Sequence, residues 1–325
     1  MWTKLKNLKM RGLISCPKDN GYFFLNDASI QCENCSQSFS IKDGIIVFYD
    51  CSIKCAEING QKMFYESLCL SNTTTSEKSK HESLLNKTWA KMRNAYSSSQ
   101  IDNKLLDFFI SKLNPLSGRK VLEIGCYSGT PGTDYCLLNK NTLDCYVGID
   151  IALSPLVKLN KKLIEANATN FYLFNMDIND NYLINNQFDL IFGRGILHHF
   201  ESPEKIAERI KKLLSPSGKA VFLEPLNTNM LIKFLRFISK PFRPNLTWEH
   251  PFSSKDLNKF VKAFRSSELY YYDGLSILSL IFLLNKKMFN LAHNFLFKMD
   301  EILSKKNSWY KKNFLRAVIV VSNND

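Results

Sequence analysis

No uncharged apolar run in the 325 residues approaches the roughly 18 needed to cross a bilayer, and the longest, residues 274–285, stops well short, so no transmembrane helix is expected. Residues 1–11 lack the apolar stretch of a secretory signal, because Lys4, Lys6, Lys9 and Arg11 interrupt it, and a cytoplasmic protein is the expectation. Internal repeats are absent as well. Acidic groups are in deficit, 30 against 43 Lys and Arg, and the resulting charge of +13 is uneven: +4 over residues 1–115, zero over 116–225 and +9 over 226–325. Such a field draws in anionic partners, whether nucleic acid, anionic lipid or a phosphorylated small molecule, unless it is simply a solvated lysine-rich surface. With 45% hydrophobic and 22% charged residues the chain can bury a substantial core, as one catalytic-sized domain with smaller attachments.

What is abundant is cysteine. Six of the nine lie in the first 69 residues, at Cys16, Cys32, Cys35, Cys51, Cys55 and Cys69, which in a reducing compartment favours a metal site or free thiols over disulfides. Cys126, Cys136 and Cys145 are scattered and read as buried thiols. Residues 12–50 read as a β-rich module and residues 71–80 contain no apolar side chain, so the expected organisation is a small module over 1–60, a linker over 61–81 and a main domain over 82–325. Apolar residues at helical spacing, Leu84, Leu85, Trp89 and Met92, then Leu105, Leu106, Phe109, Ile110 and Leu113, predict two helices.

From there strands and helices alternate, as in a parallel sheet covered on both faces. Strands are expected at 121–124, 145–149, 171–174, 188–192 and 220–224, with two more at 269–272 and 317–321; helices are expected at 155–166 and 203–214, the latter ended by the turn at Ser215-Pro-Ser-Gly218. Insertions fall at about 226–265 and 274–312.

The chemistry concentrates in Val121-Leu-Glu-Ile-Gly-Cys-Tyr-Ser-Gly129. A strand that ends in glycines turns sharply into a helix and lets backbone amides approach a ligand. Asp150 ends the second strand, where a carboxylate can accept both hydroxyls of a ribose, and Asp177 follows the third, where it can accept from an exocyclic amine while Ile178 packs on a purine. Singly, each acid could be a helix cap or a turn former. A nicotinamide-binding protein would favour Gly-x-Gly-x-x-Gly, which Gly125-x-x-x-Gly129 does not supply.

Over about residues 82–225 the chain resembles the class I S-adenosylmethionine-dependent methyltransferases, which implies an α/β fold with a Rossmann-like, seven-stranded, mostly parallel sheet and helices on both faces. Phe188-Asp-Leu-Ile191, Gly195-Ile-Leu-His-His199 and Leu213-Leu-Ser-Pro-Ser-Gly218 match further blocks of that family. By this resemblance Glu123, Gly125 and Gly129 line the methionine end of the cofactor, Asp150 holds the ribose, and Asp177 with Ile178 holds the adenine; Cys126, Tyr127, Ile151 and Arg194 complete the cofactor set. Tyr127 stands where the family has its middle glycine, which implies an altered loop or a lost cofactor site.

The segment Cys16-Pro-Lys-Asp19 … Cys32-Glu-Asn-Cys35 resembles the small zinc-ribbon-like segment that precedes some bacterial methyltransferases. Zinc wants four converging ligands, and only one Cys-x-x-Cys knuckle is intact. Asp19 can serve through oxygen, or Cys51 or Cys55 can substitute; a metal-free module held by its own β core is the alternative.

For the acceptor side, His198 and His199 follow the fourth strand at the carboxyl edge of the sheet, and at most one is expected to face the pocket. Glu224 ends the fifth strand at the same edge, and Glu249 and His250 lie in the insertion beyond it. The basic and apolar stretch 230–243 and the apolar stretches 275–284, 288–289 and 295–297 favour a small or lipid-linked acceptor of glycan, quinone or secondary-metabolite type, with peripheral contact at the inner face of the membrane open to it. Two alternatives remain: a methyltransferase for a ribosomal or transfer RNA base, with nucleic acid the less favoured partner, and a non-catalytic scaffold with a degenerate cofactor site.

Overall fold

A computed structural model describes residues 12–26, 28–49, 56–71, 100–228, 233, 252–282, 285–306 and 310–324. The stretch 230–243 except Lys233, the helix expected around Trp89, and Glu249 and His250 lie outside the described residues. In chain order the strands are β1 (Phe23–Leu25), β2 (Ser29–Cys32), β3 (Ser38–Lys42), β4 (Ile45–Val47), β5 (Lys120–Ile124), β6 (Cys145–Asp150), β7 (Phe171–Asn175), β8 (Phe188–Arg194), β9 (Leu214–Pro225), β10 (Ser266–Tyr272) and β11 (Arg316–Ser322). The helices are α1 (Ala56–Ser71), α2 (Gln100–Leu113), α3 (Pro131–Leu138), α4 (Leu153–Glu165), α5 (Pro203–Leu213), α6 (Ser254–Val261) and α7 (Lys286–Lys306).

Seven strands in the order β7-β6-β5-β8-β9-β11-β10 form the expected Rossmann-like sheet, parallel except where β11 runs antiparallel to both β9 and β10. Period-two alternation sends successive side chains to opposite faces. Leu122, Ile124, Val147 and Phe222 therefore join one core, with Ile206 and Ile210 of α5 and Phe260 of α6. Val121, Tyr146, Val221 and Leu223 join the other, with Phe109 of α2, Cys136 of α3 and Leu159 of α4. The chain moves outward one way through β6 and β7 and the other way through β8 and β9, so the carboxyl ends of β5 and β8 flank a topological switch point, where such sheets bind ligands.

Two expectations need correction. The sheet does not stop at seven strands, for the described residues form eleven, because β4 pairs in parallel with β7 (Ile46 with Phe174, Val47 with Asn175) and carries β3, β2 and β1 beyond it. An unpaired β7 would expose a row of backbone donors and acceptors, and β4 covers it. Phe48 stacks on Tyr182 at 4.3 Å and meets Phe174 edge-on at 6.0 Å, so the N-terminal module shares the core of the main domain. Second, residues 61–71, expected within a linker, are helical and belong to α1. Its pattern is poor because Asn59 and Gly60 weaken the helix and Met63 and Leu70 face solvent. The helix is held from outside itself. Helix α4 begins at Ala152, which offers no side-chain cap, and Glu66 takes that part: its carboxylate accepts from Leu153 N at 2.6 Å and Ser154 N at 3.0 Å. Lys158 Nζ then donates to Cys69 O at 2.6 Å. Glu66→Ala is expected to destabilise the protein by about 1–2 kcal/mol, the usual worth of a helix cap, measured by urea denaturation.

The turn at residues 215–218 is a bulge inside β9, whose partners step from Phe188 with Leu214 to Leu190 with Lys219. In the C-terminal insertion, the 3-10 segment Leu275–Phe282 precedes α7, and the buried Asp300 of α7 accepts from the amides of Gly274, Leu275 and Ser276. No helix among the described residues is long and apolar enough to cross a membrane.

Candidate active site

At the end of β5 the chain turns through Gly125, Tyr127 and Gly129, with φ of +70°, +46° and +104°. At Gly125 the positive φ favours glycine, and a Cβ would sit 2.8 Å from the tip of the Ile196 side chain on the turn after β8, which would have to shift. Tyr127 takes the left-handed conformation that glycine adopts most readily. The loop is braced from behind by Glu123. That carboxylate is fully buried and accepts from the hydroxyls of Thr133 at 2.7 Å, Tyr146 at 2.6 Å, and Thr130. Burial pushes its pKa up to about 7 against the pull of these three donors. Glu123, expected at the methionine end of a ligand, anchors the turn through these three hydroxyls. Cys126, placed in the same set, is also fully buried, its sulfur beside Gly148.

The cavity opens over the switch point, with a volume of about 640 Å³, within the range of small-ligand sites. Gly125, Tyr127 and Gly129 form one wall, and Asp150, Ile151, Asp177 and Ile178 form another. Asp150 Oδ2 accepts from Tyr127 N and Oδ1 from Ala152 N, both at 2.9 Å, which ties the end of β6 to the glycine turn and fixes the carboxylate. Burial raises its pKa to about 6 although these two amides oppose the shift. Asp177 caps the short turn Ile178–Asp180, accepting from Asn179 N and Nδ2 at 3.0 Å each, so capping and lining the cavity are combined in one side chain. Arg194, at the end of β8, also lines the cavity.

The two adjacent histidines lie with their ring centroids 4.2 Å apart but take different partners. They sit in a 3-10 turn, Leu197–His199, and not on a strand. His198 Nδ1 lies 3.0 Å from Glu224 Oε2, while Oε1 of that fully buried carboxylate accepts from Ile196 N at 2.7 Å and Leu197 N at 2.8 Å. His198 and Glu224 thus hold the turn, and His199 is left to face the cavity. Its Nε2 lies 3.0 Å from the hydroxyl of Tyr65, whose ring meets Tyr127 edge-on at 6.1 Å.

Tyr65 belongs to α1, as do Glu57, Ile58 and Gln61, which also line the cavity, as does Lys205 of α5. None of these was singled out from the sequence. Their partners are remote in the chain, His199 lying 134 positions from Tyr65.

A family model described as a methyltransferase domain matches residues 89–264, more than half of the chain. The chain belongs to that methyltransferase family. The ubiquinone biosynthesis O-methyltransferase of Proteus mirabilis is 24% identical over 198 residues, 61% of this chain and 76% of that protein. The enzyme of the same name from Actinobacillus pleuropneumoniae serotype 7 is 27% identical over 183 residues, 54% of this chain and 74% of that one. Among solved structures, the geranyl diphosphate C-methyltransferase of Streptomyces coelicolor A3(2), in complex with Mg2+, geranyl diphosphate and S-adenosyl-L-homocysteine, superposes over 83% of this chain and 99% of its own with a TM-score of 0.53; at 8% identity this is a likeness of fold.

The methyltransferase is S-adenosylmethionine-dependent, and its cavity suits that cofactor. A carboxylate fixed by two amides stands where ribose hydroxyls need an acceptor, and an apolar Ile178 beside Asp177 suits the face and amine of a purine. With Asp150 expected to take the ribose hydroxyls as a carboxylate, cofactor affinity should hold above about pH 6 and fall below it, by up to about tenfold per pH unit. Calorimetric titration with S-adenosylhomocysteine from pH 5 to pH 8 checks this.

Proposed function

We propose that this methyltransferase methylates a hydroxyl oxygen of a small quinone-type or lipid-linked acceptor, and that Tyr65 and His199 carry off the acceptor's proton. The observation that carries the proposal is the contact of 3.0 Å between Tyr65 OH and His199 Nε2, formed where both side chains line the cavity that Asp150 and Asp177 also line. The cofactor supplies an electrophilic methyl group on a sulfonium. What the chain must add is position and a route for one proton. The acceptor hydroxyl donates to the oxygen of Tyr65 as its own oxygen takes the methyl group, and the phenolic proton of Tyr65 passes to His199 Nε2. The imidazolium later releases that proton to water. His199 is held for this role by its neighbour, since Glu224 fixes the turn through two amides and His198.

Relatives named as O-methyltransferases of ubiquinone biosynthesis support an oxygen acceptor on a quinone-type ring. Exposed apolar side chains near the C-terminal end, among them Ile281, Leu291 and Phe295, support an acceptor with an apolar tail. The proposal includes the cytoplasmic location expected from the sequence. Formation of S-adenosylhomocysteine with prenylated catechols, set against amine and carbon acceptors, tests it. Turnover confined to the hydroxyl-bearing compounds is expected; turnover only with amine or carbon acceptors contradicts the oxygen reading.

A further inference from the structure

The Sγ atoms of Cys16, Cys32 and Cys35 and a carboxylate oxygen of Asp19 all lie within 4.8 Å of one another. They come from two loops with the same backbone. In the first, Cys16 N donates to Gly21 O at 2.9 Å and Asn20 is left-handed, with φ +59°; in the second, Cys32 N donates to Gln37 O at 2.8 Å and Ser36 is left-handed, with φ +58°. Each loop presents a donor at its first and fourth positions, Cys16 and Asp19 in one, Cys32 and Cys35 in the other. Asp19 therefore occupies in the first loop the place Cys35 has in the second.

The spacings are those of ligands around a small tetrahedral ion. Zinc bonds of about 2.3 Å to sulfur and 2.0–2.2 Å to oxygen put two sulfurs about 3.8 Å apart and a sulfur and an oxygen about 3.6 Å apart. Cys16 Sγ and Cys35 Sγ are 3.6 Å apart, and Cys32 Sγ lies 3.4 and 3.7 Å from the two oxygens of Asp19. The sulfurs are too far apart for a disulfide. Residue 21 is a glycine where the cluster crowds the backbone: a Cβ there would come within 2.8 Å of Cys32 Sγ and 2.9 Å of Asp19 Oδ1.

We propose that Cys16, Asp19, Cys32 and Cys35 form a closed, structural zinc site with three thiolates and one carboxylate. The ion joins the loop ahead of β1 to the loop between β2 and β3, and so clips together the module that β4 fastens to the edge of the sheet. With four protein ligands it has no open position for a substrate. Binding releases the thiol protons and adds stability to the module rather than chemistry to the cavity. The site is independent of the methyl-transfer reading: its failure would leave cofactor binding untouched, and the reverse also holds.

The test uses the full chain, purified without chelators. Elemental analysis is expected to find about one zinc per chain in the unaltered protein, and Cys32→Ser and Asp19→Ala are expected to lose it. Asp19→Cys is expected to keep the ion, and after replacement by cobalt to strengthen the sulfur-to-cobalt charge-transfer absorption by about one third, as four thiolates replace three. That variant keeps the test decisive if Cys32→Ser does not fold. Cys51→Ser combined with Cys55→Ser is expected to retain full zinc. The proposal is overturned if unaltered protein that binds S-adenosylhomocysteine neither carries zinc nor takes up cobalt, or if the Cys51 and Cys55 variant loses the ion while Asp19→Ala keeps it.

Discussion

Replacing His199 by alanine should slow methyl transfer by about 10²–10⁴-fold, the span typical of a lost general base, while S-adenosylhomocysteine binds as before. Two features of the site set this expectation. His199 faces the cavity, and the groups expected to grip the cofactor, Asp150 and Asp177, lie on β6 and the turn after β7, away from the turn that bears the histidine. The separation should appear as a fall in kcat with little change in cofactor Kd. Tyr65→Phe keeps the ring against Tyr127 and removes only the hydroxyl, so it should reproduce the loss in part, by about tenfold or more. His198→Ala should behave differently. It breaks the contact with Glu224, and its loss should appear first as lowered thermal stability. Should His199→Ala retain more than a third of wild-type kcat, the base lies elsewhere, and His250 and Glu249 become the next residues to replace.

Asp150→Ala carries the second large effect. Each hydrogen bond from a ribose hydroxyl to a carboxylate is worth about 1.5–3 kcal/mol, and two of them amount to about 3–6 kcal/mol. At about 1.4 kcal/mol per factor of ten, cofactor affinity should fall by roughly 10²–10⁴. The alanine also releases the amides of Tyr127 and Ala152, which loosens the glycine turn that forms the opposite wall. Asp150→Asn keeps the shape and an acceptor oxygen but removes the charge, and should fall between. Circular dichroism should show both variants folded. A Kd within threefold of wild type for Asp150→Ala would mean that the ribose is held by other groups.

Much of the cavity lining was legible in the sequence because it is local. Gly125 to Gly129, Asp150 and the pair Asp177 and Ile178 each follow directly on a strand of strong apolar character, so the strand pattern alone sets them at one edge of the sheet. The bracing role of Glu123 was not legible, for a physical reason. A carboxylate in an apolar strand beside a glycine turn looks like a ligand group until its three hydroxyl donors, Thr130, Thr133 and Tyr146, are seen around it. The histidine pair was recognised, but the choice between its members depends on Glu224, 26 positions from His198. Helix α1 was the larger omission. Its apolar positions form no clean stripe, and the contacts that fix it reach 87 and 88 positions along the chain, from Glu66 to the first turn of α4. The joining of the N-terminal module to the sheet was hidden in the same way, for β4 has three residues and nothing in Ile45–Val47 names β7 as the partner. Local periodicity reveals strands and turns; it does not reveal which remote edge or helix end a short element will satisfy.

The most direct test is calorimetric titration of the purified full chain with S-adenosylhomocysteine and S-adenosylmethionine at neutral pH. Saturable binding of one molecule per chain, weakened at least about a hundredfold by Asp150→Ala, is the expected result. Folded protein that binds neither compound would contradict the assignment of the cavity above β5 and β8 as the cofactor site, and with it the reading of this chain as a working methyltransferase.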